Sequence, residues 1–207
     1  MRTFPDLRFR GLNSLTQRAR RFLDEDHYPE ARDAFAEARA LAAKLGVGSA
    51  YLAWGLAVAL DLNKETEAAF KIIQEAIAQD PLNPSAQGSF DAIAWKLRGF
   101  IADPSLSPDD PAIPRVYRLL LDAGEADVGA HVAMARHLAS VGDRSGALKL
   151  LDAVTLLAPA SRDAWLAKAS LARALEDDGL AAECDAHAAM LAGGSVPFGI
   201  PGPRAEC

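Results

Sequence analysis

The fold is decided by residues 64–81, KETEAAFKIIQEAIAQDP, and by a second stretch with the same pattern, residues 142–159, GDRSGALKLLDAVTLLAP. Superimposing the two stretches aligns four apolar or proline positions: Ala69 with Ala147, Ile73 with Leu151, Ala76 with Val154, and Pro81 with Pro159. Each stretch places apolar residues at helical spacing between a turn and a closing proline. This arrangement predicts the second helix of a repeated helix–turn–helix unit.

Outward from these two stretches, the same periodicity continues in both directions along the chain. Short breakers such as Asp80-Pro81-Leu82-Asn83-Pro84 and Ala158-Pro159-Ala160-Ser161 end one periodic run and begin the next. The sequence therefore predicts ten helices, at residues 11–24, 28–45, 49–62, 65–79, 84–101, 112–123, 127–141, 144–157, 161–176 and 178–191.

Composition favours the same all-α class. The 207 residues include 43 Ala and 27 Leu, which are strong helix formers. The formal net charge is −6, and a basic start over residues 1–21 (six Arg, one Asp) precedes an acidic body. This balance does not favour a nucleic-acid binder. Sixteen Arg against six Lys, with so much Ala, is typical of a GC-rich bacterial genome.

Two cysteines, Cys184 and Cys207, stand without paired spacing, so neither a disulfide framework nor a zinc site is indicated. Residues 1–21 contain no apolar run of signal-peptide length, and no stretch of the chain reaches the 18 uncharged apolar residues expected of a membrane span. We therefore expect a cytoplasmic protein that does not enter a membrane.

With its repeated pattern, the sequence resembles the tetratricopeptide repeat family, which stacks 34-residue helical hairpins into a right-handed superhelix. Two repeats, from Ala50 and from Val128, match the family pattern well, and two, from Leu12 and from Arg162, match in part. At repeat positions 8 and 20, where small residues let the paired helices approach closely, all four repeats carry alanine: Ala19, Ala31, Ala57, Ala69, Ala135, Ala147, Ala169 and Ala181. Three residues depart from the family pattern, because they are charged at positions that are usually apolar: Arg18, Lys168 and Asp185.

The resemblance predicts one repeat domain over residues 1–192, with a degenerate repeat and loop at 84–126. Within it, residues 103–111 (DPSLSPDDP) form a loop with three prolines, which is either a simple insertion or a functional segment. Residues 193–207 form an extended tail. In that tail Val196, Phe198 and Ile200 alternate, so we expect it to pack near Leu175 and Leu180. The alternatives are that it docks onto a neighbouring chain or is a disordered end.

The sequence contains no recognisable catalytic motif. There is no GxxxxGK, HExxH or GxSxG, and Gly46-Val47-Gly48 lacks the third glycine of a dinucleotide loop. His131 and His137 lie six residues apart and so point to different sides of one helix, which is unsuited to sharing a metal. We expect no enzyme activity, no cofactor and no metal site.

In the family, the concave groove is lined mainly by repeat positions 5, 9 and 12. Carrying these over to the four repeats and the degenerate one gives the predicted groove: Thr16, Arg20, Leu23, Trp54, Val58, Asp61, Gly88, Ala92, Trp95, Val132, Arg136, Ala139, Leu166, Ser170 and Arg173. Three Arg and two Trp suit an acidic protein segment with an apolar or aromatic anchor. Alternatively, the Trp residues are core and the Arg residues are simply solvated.

The resemblance also allows one known groove chemistry to be tested. The clamp with which some members hold chaperone carboxylates needs Lys and Asn at positions 5 and 9, where this chain has Thr16 and Arg20. Chaperone-tail binding is therefore disfavoured. We expect an adaptor that binds a partner protein in its groove; the alternatives are a self-assembling structural subunit and an unrecognised enzyme or nucleic-acid binder.

Overall fold

The structure, a computed structural model, describes residues 9–192. Ten α-helices and no β-strand occur in this range, which confirms the all-α class. The helices, in chain order, are α1 (Arg10–Asp24), α2 (Tyr28–Lys44), α3 (Ala50–Leu62), α4 (Thr66–Gln79), α5 (Pro84–Ala102), α6 (Ala112–Asp122), α7 (Val128–Ser140), α8 (Arg144–Leu157), α9 (Arg162–Ala174) and α10 (Asp178–Ala192).

The turns that open α4 and α8 confirm the alignment of the two repeats. Lys64 and Gly142, which the alignment superimposes, both adopt left-handed backbone angles, with φ of +66° and +92°. The next residues, Glu65 and Asp143, are the N-caps of α4 and α8. The Asp143 carboxylate accepts a hydrogen bond from the Gly146 amide at 2.9 Å, a bond that satisfies one free donor of the first turn.

Small side chains lie where the paired helices approach. All eight alanines predicted at repeat positions 8 and 20 are buried, and the most exposed of them, Ala181, retains 4% of its surface. Larger residues fill the spaces beside them, among them Phe35, Phe70 and Leu151. Burial of the methyl groups lets helix backbones come close, while the larger neighbours supply most of the buried apolar area.

The chain divides into two compact units at Gly99, within α5. In the N-terminal unit, residues 9–99, consecutive helices α1 to α4 pack on one another in sequence order. In the C-terminal unit, residues 100–192, α6 to α10 pack in the same way, and α7 also contacts α9. The core of the C-terminal unit joins α7, α8 and α9 through Val132, Ala135, Ala147, Leu151, Val154, Ala164, Ala167 and Leu171.

Charged residues at usually apolar repeat positions are paired. Lys168 of α9 forms an ion pair with Asp152 of α8, with 2.8 Å between Nζ and Oδ1. Asp185 of α10 accepts a hydrogen bond from Arg173 of α9. The Arg18 guanidinium donates to Glu37 at 2.7 Å. These departures from the family pattern therefore connect neighbouring helices.

The loop at residues 103–111 is ordered by its own side chains. Asp103 accepts hydrogen bonds from both the hydroxyl and the amide of Ser105, which hold the pKa of Asp103 below its usual value. Leu106, in the middle of the loop, is half-buried. Residues 1–8 and the tail at 193–207 lie outside the described residues, and so does the expected docking of Val196, Phe198 and Ile200.

Candidate protein-binding groove

Two open cavities of the C-terminal unit lie along α7 and α9, the first helices of their repeats. The larger has a volume of about 470 Å³. The smaller has a volume of about 310 Å³. Of the predicted groove residues, five line one or both cavities: Val132, Arg136, Ala139, Leu166 and Ser170. We call this surface the α7–α9 groove.

Arg136 and Leu166 line both cavities and so mark the middle of the groove. Arg136 projects from α7 and is exposed, and Leu166 of α9 retains 37% of its surface. Around them the wall of the larger cavity is built mainly from small or apolar side chains, including Ala135, Ala167 and Leu171. The groove therefore combines an apolar floor with one central cation.

The guanidinium of Arg136 is available to bind a ligand, because no neighbouring side chain in the described part of the groove pairs with it. Among residues 9–192, no ion pair or side-chain hydrogen bond of Arg136 is found, and Asp163 is the carboxylate that lines the smaller cavity with it. Arg173, which the repeat pattern also assigned to the groove, lines neither cavity and is engaged with Asp185 of α10. A guanidinium with free donors can bind a carboxylate through two parallel hydrogen bonds.

One wall of the larger cavity comes from the three-proline loop. Pro108 lines the cavity, and its carbonyl oxygen accepts a hydrogen bond from Nδ1 of His137 at 2.9 Å. His137, which follows Arg136 directly on α7, is 9% exposed. Beside it, the Ser107 hydroxyl donates to Asp109, and this bond, together with the nearby His137, holds the pKa of Asp109 below its ordinary value. The loop is thus attached to the helix that carries Arg136.

Sequence reasoning missed Pro108 and Asp163 as groove residues, and it missed His137 as the residue that bonds to Pro108. The family positions refer only to the first helices of regular repeats, whereas Pro108 belongs to the insertion. The three prolines and the length of the insertion were the available signal. Which helix would hold the loop could be known only from the packing of His137.

In the N-terminal unit, the predicted positions on α3 face α5. The indole N–H of Trp54 donates to the Ser89 hydroxyl at 3.1 Å. One turn further on, Val58 is half-buried. After the next turn, Asp61 forms an ion pair with Lys96. Three side chains of α3 are therefore already engaged or partly covered within this unit.

The remaining N-terminal positions are more exposed. Trp95 of α5 retains 70% of its surface, which leaves a large aromatic side chain open to solvent. Nε of Arg20 lies 3.8 Å from Oδ2 of Asp24 on the surface of α1. The Thr16 hydroxyl donates a hydrogen bond to the Leu12 carbonyl oxygen at 2.8 Å. Trp95 is thus the residue of this set with the most apolar surface available for binding.

The other reactive groups of the C-terminal unit have structural contacts. Nδ1 of His131 lies 2.6 Å from the Asp127 carbonyl oxygen, and its ring packs edge-on against Tyr117. Burial raises the pKa of the Cys184 thiol above its ordinary value, which disfavours the nucleophilic thiolate. In the range 9–192, no group of three metal-ligating side chains comes together. In the same range no helix is long and apolar enough to span a bilayer.

No protein-family model matches the chain, and no curated protein matches it significantly. Among solved structures, one of MamA from AMB-1 is 13% identical with a TM-score of 0.48, over 93% of this chain and 98% of that one. MamA from Desulfovibrio magneticus RS-1 (residue 41 to the end) is 14% identical with a TM-score of 0.42, over 88% and 95%. YrrB, a TPR protein with an unusual peptide-binding site, is 18% identical with a TM-score of 0.43, over 87% and 86%. At these values the likeness transfers no function.

The repeat fold is visible in the chain's own packing. Alanines are buried at repeat positions 8 and 20 in all four repeats. Left-handed residues 64 and 142 occupy the same place before the second helix of their repeats. The part of the chain that the structure describes is a tetratricopeptide-like helical repeat.

Proposed function

We propose that this protein is a non-catalytic interaction module that binds a segment of another protein in the α7–α9 groove. A carboxylate of the partner meets Arg136, and an adjacent apolar side chain of the partner enters the 470 Å³ cavity beside Leu166. The repeats act together as one domain over residues 1–192, in a bacterial cytoplasm.

A single observation carries this proposal. Five residues of α7 and α9 that the repeat pattern assigns to the groove line two adjoining cavities, and both cavities include an exposed guanidinium with no ion pair among residues 9–192. In a chain with many surface ion pairs, a cation left unpaired beside an apolar cavity favours a ligand that brings both a negative charge and apolar surface.

The chemistry of the groove sets the expected strength of binding. Because Arg136 is exposed, a carboxylate that binds it displaces water from both groups and is screened by salt, so the charge contributes about 1 kcal/mol. The apolar side chain contributes roughly 1.5–3 kcal/mol when it is fully buried. Together these contributions reach about 2.5–4 kcal/mol before the loss of translational and conformational freedom, so we expect a short peptide to bind no more tightly than with a millimolar dissociation constant unless it makes further contacts along the groove.

Peptide display against the whole chain tests the proposal and requires no identified partner. Selected peptides should share an acidic residue next to an apolar one. Their affinity, measured by fluorescence anisotropy, should fall about tenfold or more in Arg136→Glu at low salt. The matched control is Arg144→Glu, an exposed residue at the start of α8 that lines neither cavity, and its effect should be less than about twofold.

Two results would contradict the proposal. One is an equal loss of affinity in Arg136→Glu and Arg144→Glu, which would indicate a general charge effect. The other is selection of peptides without acidic residues. The alternative of a self-assembling subunit is separated by light scattering over a range of concentrations, because a protein that remains monomeric throughout does not stack with itself.

A further inference from the structure

The C-terminal unit exposes large apolar side chains at one end of two helices. Leu156 and Leu157, the last residues of α8, retain 82% and 83% of their surface. Met190, near the end of α10, retains 49%. We call these three residues the α8–α10 apolar patch. None of them lines the α7–α9 groove, so the patch is a separate surface.

Contacts with α9 place the two helix ends at one level. Asp152 of α8 pairs with Lys168, and His187 of α10 stacks on Trp165 with 4.4 Å between ring centroids. Both α8 and α10 are joined to α9 by short turns and run antiparallel to it. Leu157 lies five residues beyond Asp152, and Ala192 five beyond His187, or about 7.5 Å in each case. Measured along α9, the end of α10 therefore lies within about one helical turn of the level of Leu156 and Leu157.

We propose that residues 195–200 of this same chain bind the α8–α10 apolar patch, with Val196, Phe198 and Ile200 as the contacting side chains. In an extended segment these three residues point the same way, with about 6.7 Å between successive members. Residues 193–203, GGSVPFGIPGP, contain no charge and so match an uncharged patch. The proposal concerns a surface other than the groove and does not depend on the proposed function.

The geometry of the tether permits this contact. Helices α8 and α10 both pack on α9, so two helix spacings of about 8–10 Å separate them by at most about 20 Å. The chain spans up to about 20 Å from Ala192 to Phe198 and up to about 26 Å from Ala192 to Ile200. Gly193 and Gly194 let the chain reverse direction at the end of α10. Pro197 and Pro201 restrict the free tail, which reduces the entropy lost on binding.

The tether also favours this occupant over a second copy of the chain. A segment joined by so few residues has an effective concentration in the millimolar range, far above the concentration of the protein itself. The surface around Leu175 and Leu180, which the sequence favoured for the tail, is less available. Leu175 packs against the core of the C-terminal unit, and Leu180 is half-buried.

Disulfide trapping in the full chain tests the proposal. In a Cys207→Ser background, Ile200→Cys is combined with Leu157→Cys, which leaves Leu156, Val196 and Phe198 intact. The matched control pairs Ile200→Cys with Ala186→Cys, an exposed residue of α10 about 9 Å from Ala192 along the helix. The native Cys184 is 1% exposed and does not compete.

We expect the intramolecular disulfide with Leu157→Cys to form at least about tenfold faster than the disulfide with Ala186→Cys, because a docked segment holds its thiol near one partner. Equal rates would show that the tail samples both positions freely and would overturn the proposal. Disulfide-linked dimers as the main product would also overturn it, by assigning the patch to a second copy.

Dye binding provides a second readout that needs no new cysteine. Phe198→Ser should raise the fluorescence of an apolar-surface dye at least twofold, because it uncovers the patch. The same substitution in a Leu156→Ser, Leu157→Ser background should have no such effect. An unchanged signal on Phe198→Ser in the otherwise native chain would contradict the proposal.

Discussion

Single residues without bulk decide where the helices of this protein meet. Gly55 of α3 is buried against Phe35 of α2, and a Cβ atom at residue 55 would overlap three carbons of the Phe35 ring. Phe35 is itself completely buried. Because Gly55 has no side chain, the Phe35 ring of α2 can pack closely against α3 at this position.

Gly55→Ala should lower the free energy of unfolding by about 1–3 kcal/mol, because either the ring or the helix must move. Gly88→Ala is the matched control: Gly88 lies within α5, and a Cβ there would meet nothing within 4 Å. That substitution should raise stability by about 0.4–1 kcal/mol. Urea denaturation measures both. Equal effects at the two glycines would contradict this account of the α2–α3 contact.

Residue by residue, the sequence predicted burial better than it predicted partners. The eight alanines at repeat positions 8 and 20 were identified because their spacing repeats. The role of Gly55 was not identified, because a glycine in a helical run does not reveal which aromatic ring packs against it. Likewise, Lys168 and Asp185 looked like defects of the pattern. Their partners, Asp152 and Arg173, lie on neighbouring helices and are visible only after packing.

Among the helices, α4 begins at a carboxylate that also connects it to α2. Oε1 of Glu65 accepts hydrogen bonds from Arg32 of α2 and from Asn63, each at 2.7 Å. These two bonds, that of Arg32 first, hold the pKa of Glu65 below its ordinary value. Since the folded state favours the ionised form, the contact stabilises the protein above the unfolded pKa of Glu65 and is lost as the pH falls through the folded one.

Glu65→Gln should therefore be less stable than the native protein at neutral pH, and this difference should shrink as the pH falls below about 4. Denaturation at both pH values measures the change. In an Arg32→Met background the same substitution should cost less, because its main partner is absent. A difference that stays constant with pH would show that the carboxylate is not favoured by folding.

The loop at 103–111 is positioned by α7. His137→Ala removes the hydrogen bond to Pro108, so amide hydrogen exchange in the loop should speed up and the selected peptides should bind about two- to tenfold more weakly. The control is His131→Ala, whose ring bonds to the Asp127 carbonyl instead. If loop exchange is the same in both variants, His137 does not hold the wall of the cavity.

The helix boundaries show which helix ends the local sequence can predict and which it cannot. Most ends agree with the prediction within one residue, because Pro, Gly, Asp and Ser mark them. For α9 the prediction ran to residue 176, whereas the helix ends at Ala174. Glu176 adopts a left-handed φ of +61°, which no glycine signalled. The helix therefore ends earlier than predicted, at a turn whose left-handed residue is not a glycine.

Considered as a whole, the molecule is a helical repeat with its candidate site in one compact unit. The repeat pattern predicted the α7 and α9 positions that line the two cavities, because regular repeats place equivalent residues on equivalent surfaces. Arg173, assigned to the groove by the same pattern, lies outside both cavities, since the next helix supplies Asp185 as its partner. The single domain over residues 1–192 stays a prediction.

We propose that a partner binds the α7–α9 groove through Arg136. Chemical-shift mapping by NMR, with labelled full-length protein and a display-selected acidic peptide, tests it most directly. If the partner binds there, the largest shifts fall on residues of α7 and α9 around Arg136 and Leu166, with smaller shifts in the loop at 103–111. Shifts concentrated on α3 and α5, around Trp54 and Trp95, with α7 and α9 unchanged, would contradict it.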